Sequence, residues 1–162
     1  MIKEWAFISF GITTLLSGFY GGVGFFTAMG GNPALKRLSD KSFAEYWQHI
    51  DFFMAARMKV FGPLLLLSFI ITIIGLLPVW QTPSFWLMAI ALGVIIGDIA
   101  FTFSTNHPLN KLIQSWDLNN LPNNVPQVRQ QVVKAFSYRL LFMMISFLLV
   151  VLAVWVYKGP LI

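Results

Sequence analysis

A chain of 162 residues that is 57% hydrophobic and 10% charged has the size of one domain but too few ionic side chains to cover it in water, where about 25% is usual. Its net charge of +5 is not a nucleic-acid footprint, because the basic residues gather near the ends of apolar segments, where they suit lipid headgroups. With no cysteine in the chain, disulfides and thiolate metal sites are excluded.

Four stretches approach the roughly 20 apolar residues that cross a hydrocarbon core. The first runs from Ala6 to Met29 without a charge. Its length exceeds the roughly 7–15 residues of a signal-peptide core, so it is expected to stay as a helix. It contains Ser17-Gly18-Phe-Tyr-Gly21-Gly22, with small residues four apart at 17/21 and 18/22. That pattern lets a neighbouring helix pack closely, within the chain or between copies in a homo-oligomer, or leaves a gap for a flat ligand. Gly30-Gly31-Asn32-Pro33 is expected to end the helix.

Ser42 and Glu45 then have capping-box spacing, and Phe43, Trp47, Ile50 and Met54 recur at helical steps. This amphipathic helix precedes or runs into the second span, Val60 to Trp80, with Pro63 at the join. A short uncharged link from Pro78 to Pro83 makes the third span, Ser84 to Phe103, an antiparallel neighbour of the second. The third connection, from Asn106 to about Tyr138, is long and polar, with prolines at 108, 122 and 126. The fourth span runs from Leu140 to Tyr157. Trp5, Trp80, Trp86 and Trp155 lie near segment ends, as interface aromatics do.

The fold class that follows is all-α: a membrane-embedded antiparallel four-helix bundle with one additional amphipathic helix, forming one domain over residues 1–162. Lys36, Arg37, Lys41, Arg57, Lys59, Lys111, Arg129, Lys134 and Arg139 share one end of such a bundle, against Lys3 and Lys158 at the other. The positive-inside tendency puts the two long connections in the cytoplasm and both termini outside, as in a bacterial inner membrane. No internal repeat is visible, and four spans without one make a poor transporter.

Asp98 is the one charge within the third span. A carboxylate there costs roughly 2.5–3.5 kcal/mol to insert and turns towards a bundle interior. Thr102, Thr105 and Asn106 follow on the same face. Asp98 is either a proton acceptor or ligand contact, or a structural carboxylate paired with Arg57 or Arg139. Those arginines, each near the mouth of a span, either snorkel to headgroups or turn inward to hold a carboxylate or oxyanion. His107, before Pro108, would sit at the top of a pocket as a general base. His49 and His107 with Asp51 or Asp98 lack the HxxxH or HExxH spacing of a metal site, so no metal is expected. The sequence names no cofactor.

Thr105-Asn106-His107-Pro108-Leu109-Asn110-Lys111-Leu112-Ile113, followed by Trp116, resembles the anthrone oxygenase-like family of small four-helix membrane proteins, also termed domain of unknown function 1772. That family has an Asn-x-Pro-(Leu/Ile)-Asn motif ending the third span, then a tryptophan, a polar loop and an arginine opening the last span. Asn106, Pro108, Leu109, Asn110, Trp116 and Arg139 stand at those positions, and Pro33, Gln48, Arg57 and Pro63 fit the first half. Phe136 and Ser137 depart from the Asn and His common before the arginine, and Asp51 from a common asparagine.

The resemblance implies an oxygenase that converts an activated methylene of a flat polycyclic phenol to a carbonyl without an evident organic cofactor. His107 or Asp98 would then be the base, and Asn106, Asn110 and Arg139 would hold the oxyanion. Arg57 and Trp116 are further ligand-contact candidates. The alternative is a non-catalytic protein that holds a lipid, quinone or isoprenoid in the same pocket, or a subunit of a larger membrane complex.

Overall fold

Leucine, isoleucine and phenylalanine face outward along the long helices, while serine, threonine and one aspartate face inward. Ile12, Leu15, Phe19, Leu67, Ile71, Ile74, Ile90, Ile96, Leu141 and Leu148 are exposed, whereas Thr13, Ser17, Thr72, Ser84 and Asp98 are fully buried. In water this arrangement would be inverted; in hydrocarbon it is the stable one, because polar groups must find partners inside the protein.

The computed structural model describes residues 2–157, with side chains described for Trp5 and from Phe7 onward. Its helices are α1 (Ile2–Phe26), α2 (Asn32–Arg37), α3 (Asp40–Leu76), α4 (Pro83–Phe101), α5 (His107–Gln114) and α6 (Val125–Trp155). No strand occurs among the described residues. Four stretches are long and apolar enough to cross a membrane: Phe7–Arg37, Asp40–Val79, Pro83–Gln114 and Val125–Trp155. They form an antiparallel bundle in which α6 packs on α1 and α4, and α3 packs on α1 and α4. The charges at the other end, the Lys3 side chain and Lys158, lie outside the described residues.

Glycine allows the closest contact. A Cβ on Gly21 would sit 3.0 Å from the Phe147 Cβ, and one on Gly24 would sit 3.1 Å from the Met143 Cβ. Gly22 has nothing within 4 Å. The packing stripe is therefore Gly18, Gly21 and Gly24 against α6, within one chain, and not the 18/22 pair. Hydrogen bonds supply the rest: Thr13 with Thr72 at 2.9 Å ties α1 to α3, and Ser84 donates to the Ala153 carbonyl at 2.9 Å, tying α4 to α6. Such bonds hold bundles together where burial from water cannot.

Gly30-Gly31-Asn32-Pro33 does not end the first helix, contrary to expectation. Residues Thr27–Gly31 form a π turn, closed by the Asn32 N–H on the Thr27 carbonyl, and the helix continues as α2. The same thing happens before Pro108. Thr102–Asn106 is a π turn closed by the His107 N–H on the Thr102 carbonyl, and α4 continues as α5. In both cases proline follows two residues after the turn. The wider turn keeps backbone groups bonded where proline would otherwise leave a carbonyl orphaned. The two halves of the chain thus repeat one scheme: a helix, a π turn, a proline-led continuation, then a second long helix. Between Thr27–Pro33 and Thr102–Pro108 only the threonine and proline positions coincide.

The amphipathic helix and the second span are one helix, α3, running through Pro63. Its cap is Ser39, whose hydroxyl accepts the Ser42 N–H at 3.1 Å, so the helix starts a turn earlier than the Ser42–Glu45 spacing indicated. The third connection is also shorter than expected. Helix α6 begins at Val125, leaving only residues 115–124 between it and α5.

The helical stretches of 31–40 residues reach about 46–60 Å, well beyond a hydrocarbon core of about 30 Å. The excess lies at the basic end, where it builds a second core. Leu35, Phe43, Trp47, Ile113, Val125, Val128, Val132 and Val133 pack there, separate from the membrane core of Phe10, Phe69, Leu76, Met88, Ile95, Met143 and Val150. At the opposite end Trp5, Trp80, Trp86 and Trp155 are all exposed, as a belt at the lipid–water boundary would be.

Candidate functional site

Between the two cores α1, α4 and α6 bring polar side chains together. Tyr20 of α1 is 6% exposed and Asp98 of α4 is 0% exposed. Arg139 of α6 reaches them from the side of the basic-end core. Its Nε donates to Asp98 Oδ1 at 3.0 Å and its Nη2 to Asp98 Oδ2 at 3.1 Å, a two-pronged grip. The Tyr20 hydroxyl donates to Asp98 Oδ2 and accepts from Arg139 Nη2 at 3.3 Å. Of the two arginines weighed as partners for Asp98, the structure brings in Arg139. Paired and hydrogen-bonded, the two charges neutralise one another in a medium where either alone would be costly.

Fifteen residues separate Trp5 from Tyr20, and sixteen separate Arg139 from Trp155. At about 1.5 Å per residue the cluster lies roughly 22–24 Å from the tryptophan end, still within a slab of about 30 Å.

Next to this satisfied cluster are groups that are not satisfied. Asn106, two turns beyond Asp98, is 3% exposed, and its carboxamide oxygen has no partner among the described residues. The Thr102 hydroxyl between them, the Ser17 hydroxyl on α1 and the Asn32 carboxamide oxygen are also buried and unpartnered. Asn32 does use its nitrogen, donating to Ser137 Oγ at 3.1 Å and the Val133 carbonyl at 3.3 Å. Each buried polar atom without a partner costs about 1–3 kcal/mol, and native structures carry few of them. Arg139 Nη1 likewise meets no acceptor among the described residues. The basic end of the bundle therefore offers buried acceptor oxygens on Asn32 and Asn106, with Asn106 about 12 Å along the helix from Asp98.

The other expected residues lie elsewhere. His107 is exposed, edge-on to Phe103 with ring centroids 6.1 Å apart, and is not brought to Asp98. Arg57 is exposed; it donates to the Phe53 carbonyl at 3.1 Å and lies over the Phe53 ring, the snorkelling arrangement. Asn110 lies at the basic-end core, where its oxygen accepts from Trp47 Nε1 at 3.1 Å and its nitrogen donates to Asp51. Trp116 is half-buried against that core, and its carbonyl accepts from Gln48 at 3.0 Å. Asp51 and Gln48 are thus braces between α3 and α5. Among the described residues no three His, Cys, Asp or Glu side chains come together as a metal set.

Sequence reasoning missed Tyr20. The signal was available: a phenol in mid-span must find a hydrogen-bond partner, and Asp98 is the nearest intramembrane acceptor in the same end of the bundle.

Helix α3 leaves this layer open. It buries Phe43 and Trp47 before it and Leu65 and Phe69 after it, yet from His49 to Val60 no residue is buried. A groove of about 630 Å³ lies here, lined by Phe53, Ala56, Arg57, Val60, Phe61 and Leu64. The Phe61 ring stacks on Tyr20, with centroids 6.4 Å apart, so one aromatic ring separates the groove from the polar cluster.

The chain matches no protein-family model, no curated protein and no solved structure. The likeness to anthrone oxygenases rests on the sequence alone: the Asn106–Asn110 motif, Trp116 and Arg139, with Pro33, Gln48, Arg57 and Pro63 in the first half.

Proposed function

We propose that this membrane-spanning bundle binds a small apolar or aromatic molecule carrying a hydroxyl, such as a phenol or a quinol, in its polar layer. The observation that carries this reading is the buried, unpartnered carboxamide oxygen of Asn106, two helical turns from the neutralised Asp98–Arg139 pair. Asn32 and Asn106 oxygens can only accept, so an occupant that satisfies them must donate. The groove beside Phe61 supports entry from the bilayer, where such molecules dissolve. The basic end, with its second core, faces the cytoplasm by the positive-inside tendency, consistent with a bacterial inner-membrane protein.

The geometry favours holding such a molecule over reacting with it. Both Asp98 oxygens are engaged, and His107 points away from the layer. Oxidation of an anthrone-like phenol by oxygen is the second reading, favoured by the one group suited to an oxyanion, Arg139 Nη1.

Native mass spectrometry in mild detergent tests binding, with a short-tailed quinol as probe and its dimethyl ether as the form that cannot donate. The quinol should stay bound to the protein and the ether should not, and Asn106→Leu should lose the quinol. Equal retention of both probes, or undiminished retention by Asn106→Leu, overturns the reading. Oxygen uptake with an anthrone substrate, lost in Arg139→Gln, would favour the catalytic reading.

A further inference from the structure

On the outside of the basic-end core a cavity of about 750 Å³ lies between α2 and α6. Lys36, Arg129 and Lys134 line it together with Gln130, Ser137 and Tyr138. Arg129 is already occupied, held by Asp40 at 3.1 Å and by the Leu38 carbonyl. Lys36 and Lys134 meet no carboxylate among the described residues. Two free ammonium groups in one concavity repel each other unless an anion lies between them.

Its position narrows the choice of anion. Tyr138 adjoins Arg139, which lies just inside the hydrocarbon, and Lys134 is one turn further out, about 6 Å along α6. That is the depth of the headgroup region, which adds roughly 5–8 Å on each side of the core. Tyr138 is 48% exposed and has the amphipathic character of a boundary aromatic. Below it on α6, Leu141, Ile145 and Leu148 present an exposed apolar track on which acyl chains can lie. The first turn of α6, which contributes Pro126 to the cavity, adds the positive end of a helix dipole.

We infer that the α2–α6 cavity is a binding site for the phosphodiester headgroup of an anionic phospholipid, with Lys36 and Lys134 as its ligands. Basic pockets at the cytoplasmic ends of spans hold such headgroups by charge and hydrogen bonding. The cavity borders Asn32 through Ser137 and Val133, but its ligands Lys36 and Lys134 take no part in the polar layer.

Native mass spectrometry of the purified protein with phosphatidylglycerol, and separately with phosphatidylcholine, provides the test. One phosphatidylglycerol per chain should be retained, and phosphatidylcholine should not. The double variant Lys36→Gln/Lys134→Gln should bind phosphatidylglycerol roughly thirty-fold more weakly, the loss of two lysine–headgroup attractions. Lys41→Gln/Lys59→Gln, which removes two cations from the same end but outside the cavity, should bind as the unaltered protein does. Equal retention of the two lipids, or equal effects of the two double variants, overturns the assignment. Displacement of the lipid by inorganic phosphate would mark a site for free phosphate and overturn the lipid assignment as well.

Discussion

Arg139 holds Asp98 through two nearly equal hydrogen bonds, 3.0 Å from Nε and 3.1 Å from Nη2, one to each carboxylate oxygen. The pair joins α6 to α4 at a depth where neither charge could stand alone. Removing one partner should therefore cost more than removing both.

Asp98→Asn and Arg139→Met are each expected to lower stability by about 3–5 kcal/mol, the usual penalty for leaving a buried charge uncompensated. The combined variant should recover much of that loss. Thermal unfolding in one detergent, followed by far-ultraviolet circular dichroism, compares the three; a combined loss equal to the sum of the singles would show that the pair is not energetically coupled.

Tyr20→Phe removes one donor from Asp98 Oδ2 but leaves both guanidinium bonds in place. The expected loss is about 1.5–3 kcal/mol, the range for a hydrogen bond to a charged group. The same unfolding assay reads it, and a change below the error of the assay would mean that the phenol contributes nothing to the cluster.

Glycine at 21 and 22 should behave oppositely. Gly21→Ala would press against the Phe147 Cβ, 3.0 Å away, and should cost about 1–3 kcal/mol as overpacking. Gly22→Ala meets open space and should gain up to about 1 kcal/mol by helix propensity. Equal effects would mean that α1 does not pack on α6 through this stripe.

Asn106→Leu separates stability from binding. In the empty protein the exchange removes a buried unpartnered oxygen, so stability should hold or rise, while retention of a quinol should fall. A marked loss of stability in the absence of ligand would instead assign Asn106 a structural role.

Much of this architecture could be read from composition and spacing. The four spans and the inward turn of Asp98 follow from the cost of exposing polar groups to lipid. Gly30, Gly31 and Pro33 carry a helix-stop signature, yet the chain kept its backbone bonds by widening one turn ahead of the proline. The start of α6 was missed because its polar surface looked like a loop, although Val128, Val132, Ala135 and Phe136 already carry a helical period. Asn106 stood out for sharing the helix face of Asp98 and for the Asn-x-Pro-Leu-Asn motif, and burial gave it weight. His107 was picked out for its chemistry, and nothing in the spacing said that a π turn would leave it exposed.

The pair of stacked cores means that this protein should not melt in a single event. The valine-rich assembly at the basic end borders water and is held by the hydrophobic effect, so urea or guanidinium can loosen it. The portion among acyl chains relies on glycine contacts and internal hydrogen bonds, which those agents reach poorly. Trp47 and Trp116 report on the first region, and Trp5, Trp80, Trp86 and Trp155 on the far end of the second. Fluorescence from the two sets should respond at different denaturant concentrations, with the aqueous cap fraying while the spans remain assembled.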